Sequence, residues 1–115
     1  MVVDNLIDEL KKLGYPVIKQ GSLPPDEDYP ENFFTYWNNS SDGISFYSND
    51  ETGAVWNYSV NFYSEDELLV DSKLLEAKKL LKKAGFIVTG FGHDVASDEP
   101  THTGRGIIAL YREQQ

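Results

Sequence analysis

The stretch Trp56-Asn57-Tyr58-Ser59-Val60-Asn61-Phe62 alternates large apolar and small polar side chains without a break. A period of two puts every apolar group on one side of an extended strand and every polar group on the other. The chain must therefore supply sheet neighbours for this strand and a layer to cover its apolar side. Ile44 and Phe46 repeat the pattern against Ser45 and Tyr47, and the clusters Ser40-Ser41-Asp42-Gly43 and Asn49-Asp50-Glu51-Thr52-Gly53 have the composition of hairpin turns. The spacing predicts an antiparallel meander with strands near 32–38, 44–48 and 54–63.

Two helical patterns offer the cover. Val3, Leu6, Ile7, Leu10 and Leu13 recur at three- and four-residue steps, and Gly14 and Pro16 stop the helix near Leu13. Ser64-Glu65-Asp66-Glu67 reads as a capping box, with Val70, Leu74, Ala77, Leu81 and Ala84 as the core stripe and Gly85 as the end. Tyr15–Lys19, Phe86–Phe91 and Ile107–Arg112 read as further strands, and the polar segment Gly92–Gly106 as a mobile loop between the last two. The expected fold is α+β, one domain over residues 1–115, a mainly antiparallel sheet with two helices packed on it in the order α-β-β-β-β-α-β-β. Its expected core is Leu6, Leu10, Ile44, Phe46, Trp56, Tyr58, Val60, Phe62, Val70, Leu74, Ala77, Leu81 and Val88.

Composition removes several classes of function. Without cysteine the chain has no disulfide scaffold, thiolate metal site or cysteine nucleophile. No apolar run approaches the roughly 20 residues of a membrane span, and Met1-Val2-Val3-Asp4-Asn5 lacks the basic start of a signal peptide, so a cytosolic protein is expected. A net charge of −9 argues against nucleic acid and anionic membranes as partners. The charge is uneven: residues 1–66 hold 12 acidic and 3 basic side chains, whereas residues 67–115 hold 7 of each. Gly21–Glu31, with Pro24, Pro25, Pro30 and Asp26-Glu27-Asp28, reads as an exposed acidic loop.

The only histidines, His93 and His102, share the segment 92–106 with Asp94, Asp98, Glu99 and Arg105. Their nine-residue separation matches no familiar ligand spacing, so neither a metal nor a catalytic role is expected and no cofactor is implied. His93, Asp98, Glu99, His102 and Arg105 are instead candidates for a partner-contacting loop. The aromatic residues say more, since 11 of the 15 fall between Tyr29 and Tyr63. In Phe33-Phe34-Thr35-Tyr36-Trp37, bulky groups alternate onto both faces of one strand. One layer of helices covers one face, so the other needs a second chain or a folded-over loop. Phe34, Tyr36 and Trp37 are the candidate oligomer or partner contacts.

Glu31–Asn38, Ser45–Asn49, Trp56–Tyr63, Lys83-Ala84-Gly85-Phe86 and above all Asp98-Glu99-Pro100-Thr101-His102-Thr103-Gly104-Arg105 resemble small structural proteins of long-tailed phages and prophages, in the tail-completion or tail-terminator group of head–tail joining proteins. The resemblance spans about residues 29–112. It implies an α+β subunit without enzymatic activity that assembles as a ring, commonly hexameric, at the head-proximal end of the tail. The implied partners are further copies, tail-tube and neck proteins, and the implied location is the virion, or the host cytoplasm during assembly. The residues themselves leave open a monomeric acidic binding or inhibitor module and, as a minor alternative, a small metal-dependent hydrolase built on the histidine loop.

Overall fold

The structure, a computed structural model, describes residues 2–22, 30–44, 53–97 and 101–114. Helix α1 (Val2–Lys11) leads into strand β1 (Val17–Lys19), the long strands β2 (Asn32–Ile44) and β3 (Gly53–Ser64), helix α2 (Glu67–Lys83), the short strand β4 (His93–Val95) and the long strand β5 (Thr103–Gln114). The five strands form one sheet in the order β1-β2-β3-β5-β4. Only β1 and β2 run parallel; the other pairings are antiparallel. Both helices lie on one face, so the fold is α+β as expected.

The alternating strand is the centre of the sheet. Tyr58, Val60 and Phe62 of β3 are buried beneath the helices with Phe34 of β2 and Ile107 and Ala109 of β5. Val2, Leu6 and Leu10 of α1 and Val70, Leu74, Ala77 and Leu81 of α2 close over them. Trp56 and Tyr36 pack against this core while partly exposed, and Phe86 and Val88 complete it. The side chains of Ile44 and Phe46 lie outside the described residues.

Three local expectations are corrected. Ser64 does not cap α2: it is fully buried at the end of β3, where its hydroxyl donates to Asn32 Oδ1 at 2.5 Å and accepts from the Asp66 amide at 3.0 Å. The N-cap is Asp66, whose carboxylate accepts from Leu68 N at 3.0 Å. At the other end Gly85, at φ 100°, lets its own amide reach Lys82 O and that of Phe86 reach Leu81 O, as a glycine helix stop requires.

The turn cluster at Ser40–Gly43 does not break the strand either. Where a meander was expected, β2 runs on to Ile44, absorbing the irregularity as a bulge between Asn38 and Ser40. Residues 45–52 lie outside the described residues. At the bulge, Asn39 Nδ2 donates to Asn57 Oδ1 and Ser59 Oγ on β3, a polar cross-strand ladder beside the cluster.

Finally, Gly92–Gly106 is not loop throughout, and Phe86–Phe91 is not a strand. Ile87 alone bridges to Leu110, while β4 and the first residues of β5 form a hairpin out of the supposed loop. The glycines that suggest a loop are there for contact. A Cβ on Gly104 would lie 2.6 Å from the Tyr63 ring, and one on Gly106 2.1 Å from Asn61 Oδ1, so only glycine lets β5 pass under those side chains.

Candidate functional site

Residues paired across a sheet project to the same side, which defines the face turned away from the helices. One row of that face joins Phe33, Tyr63, Gly104 and Val95; the next joins Ile18, Thr35, Asn61, Gly106 and His93; the third joins Trp37, Ser59 and Ile108. The first row is closed by the protein's own chain. Phe33 stacks on Tyr63 with ring centres 5.2 Å apart and meets the edge of His102 at 5.8 Å. His102 Nε2 lies 2.8 Å from Pro30 O. A carbonyl only accepts, so that nitrogen carries a proton, and Nδ1 lies 3.1 Å from the Thr101 hydroxyl. The ring ties the start of β5 to the residues that enter β2.

The third row is open. Trp37 is 47% exposed, and Ile108, across Ser59 from it, and Ile87, bridged to Leu110, are exposed as well. β1 ends its pairing at Tyr36, so no β1 residue stands next to Trp37. Between the two rows, Thr35 Oγ1 and Asn61 Oδ1 are buried and have no hydrogen-bond partner among the described residues. The Asn61 amide nitrogen donates to Gln20 Oε1 at 3.3 Å.

Of the candidate contact residues, Phe34 requires correction. It is fully buried against Phe62, at 4.6 Å between ring centres, and has no surface to offer a partner. The alternation that sends Phe33 and Trp37 away from the helices sends Phe34 and Tyr36 beneath them. Tyr36 is partly buried there, and only Trp37 stands free of the core. On that covered side Tyr58 is also buried. Desolvation, with added repulsion from Glu113, Tyr36 and Asp4, pushes its phenol above the ordinary value.

The loop candidates are split between the two faces. His93 is exposed on β4, and Asp98 and Glu99 lie outside the described residues. Arg105 is turned to the helix side as a clamp: Nε meets Asp71 Oδ1 at 3.1 Å, Nη1 meets Asp94 Oδ1 at 2.7 Å and Nη2 donates to Phe91 O at 3.1 Å. Among the described residues no three His, Asp or Glu side chains converge as metal ligands, and no helix is long and apolar enough to cross a membrane.

A second surface was not foreseen from the sequence. Between α2 and β5 runs a groove of about 360 Å³, floored by Leu74 and Ile107, walled by Leu75 and Phe91 and bounded by Arg105 and Lys78. Phe91 is 83% exposed on a turn whose flanking Gly90 and Gly92 both have positive φ. Lys78 donates to Gly90 O and lies 4.9 Å from the Phe91 ring centre, so two cations strap this turn in place. The available signals were Gly90-Phe91-Gly92 itself, and Leu68 and Leu75, which fall off the core stripe of α2.

Neither a scan against protein-family models nor a search of the curated proteins finds a match to this chain.

Proposed function

We propose that this protein is a non-enzymatic virion-assembly subunit of the tail-completion or tail-terminator type, which closes into a ring with copies of itself at the head-proximal end of a phage tail. The observation that carries the reading is the open row on the outer face of the sheet, where Trp37, Ile108 and Ile87 remain exposed beside a polar ladder. An exposed aromatic group with apolar neighbours and a polar surround matches the apolar core and polar rim of a specific interface. Thr35 Oγ1 and Asn61 Oδ1, buried and without a partner among the described residues, lie on the same face. The resemblance of residues 29–112 to head–tail joining proteins supplies the biological setting. In a ring each modest contact recurs at every subunit, and closure makes the whole stable.

Light scattering on the protein alone and with a tail-tube protein tests this. A ring mass is expected in at least one condition. Replacing Trp37 and Ile108 with Ser is expected to weaken it by more than about 2 kcal/mol per contact while the subunit stays folded, because aromatic anchors dominate such interfaces. A strict monomer in every condition would replace this reading with the monomeric acidic binding module, which the surplus of acidic groups in residues 1–66 would then explain.

A further inference from the structure

The outer side of α2 is ordered along its length. Glu65, Asp66 and Glu67 stand at its start, Leu68 follows in its first turn, Leu75 lies at its midpoint, and Lys79, Lys82 and Lys83 stand at its end, all exposed. The charge order alone suits the helix macrodipole and needs no partner. The apolar residues between the charges are different. Leu68 is 85% exposed, Leu75 is also exposed, and Phe91 is held across the groove from Leu75 on its strapped turn, above the apolar floor of Leu74 and Ile107. A flexible turn would let a phenylalanine fold down onto that floor. Here the Lys78 and Arg105 bonds to Gly90 O and Phe91 O hold it out.

We propose that this surface pairs with the same surface of a second copy, α2 against α2 and antiparallel about a two-fold axis near Leu75, each Phe91 docking at the groove of the other chain. The charges select this occupant and this direction. Turning one helix end for end lays the acidic start of each over the basic end of the other, twice per pair, whereas a parallel arrangement sets like charges together. The aliphatic stems of the lysines cover the leucines while their ammonium groups reach the carboxylates. This contact is separate from the open sheet face and stands whether or not that face forms a ring; if both form, rings join back to back.

Charge-swap mixing followed by sedimentation equilibrium tests it. The protein itself is expected to dimerise, and Phe91→Ser to raise the dissociation constant at least about thirty-fold, the threshold of an anchor residue. Lys79→Glu/Lys82→Glu and Glu65→Lys/Glu67→Lys are each expected to stay monomeric alone, with acid facing acid or base facing base. Mixed in equal amounts they are expected to restore the dimer, since both ends of the mixed pair then carry opposite charges. Trp37→Ser should leave this dimer intact. A monomer at all concentrations, a dimer indifferent to Phe91→Ser, or two charge variants that fail alone and also fail together would overturn the proposal. Loss of association in Trp37→Ser with none in Phe91→Ser would place self-association on the sheet face only.

Discussion

Phe33 and Trp37 stand on the same strand, on the same face, four residues apart, and meet opposite fates. Phe33 is 4% exposed and Trp37 47%. Both are large and aromatic, so hydrophobicity does not decide between them. What decides is whether another part of the chain reaches that row. His102, anchored to Pro30, closes over Phe33, whereas β1 stops at Lys19, one residue short of standing beside Trp37. On the helix side the division is softer, because two amphipathic helices bury Phe34, Tyr58, Val60 and Phe62 and leave Tyr36 and Trp56 partly covered. An outer sheet face is thus finished in patches, and the unfinished patch is where a partner has most to gain.

Substitutions can break or sharpen this contrast. Phe33→Ala should have the largest effect on stability, about 3–5 kcal/mol in chemical denaturation, because a filled site becomes a cavity; a loss below about 1 kcal/mol would mean that the lid follows the ring down or was never closed. Gly106→Ala comes next at about 1–3 kcal/mol, since its Cβ would meet Asn61 Oδ1 at 2.1 Å. His102→Ala should cost about 1–2 kcal/mol by leaving Pro30 O without its donor, and should speed amide exchange near Phe33 more than near Trp37.

On the covered face the effect depends on pH. The raised phenol of Tyr58 means that the unfolded chain ionises first, near pH 10, so stability is unchanged below that value and falls as the pH rises further, until the folded phenol also ionises. Tyr58→Phe should flatten that alkaline decline in melting temperature. Smallest of all, Trp37→Ser should change subunit stability by no more than about half a kcal/mol, because little packing is lost; a loss as large as that of Phe33→Ala would show that row to be closed too.

The periodic segments were legible because a covered face imposes its period on the sequence. Leu6 and Leu10 of α1, Val70, Leu74, Ala77 and Leu81 of α2, and Tyr58, Val60 and Phe62 of β3 carry that period and are buried. The two-faced bulk of residues 33–37 is equally visible, but the sequence does not say which face the helices take, and so Phe34 reads as an interface residue although it belongs to the core. Ser64 and Asp66 are both good capping residues; only the pairing of Ser64 with Asn32 and Thr103 across the sheet decides between them. Gly104 and Gly106 misled most. Glycine selected for close passage under Tyr63 and Asn61 has the same letter as glycine selected for a turn. Phe91 gave little warning, because an exposed phenylalanine is notable only once its exposure is known.

β3 has one partner immediately before it in the chain, β2, and the other, β5, only after α2 and the β4 hairpin. Order of synthesis therefore matters. When β2 and β3 have left the ribosome their hairpin can zip at once, but the far side of β3, from Gly53 to Ser64, has no strand to bond until Thr103–Gln114 emerges. Contacts so distant along the chain form late and slowly. During that interval the central strand of the sheet offers a bare edge, a template for any other nascent copy on the same message. The closing strand acts as a timer on solubility: slowing translation between α2 and β5 should raise aggregation of newly made protein without altering the stability of the finished fold.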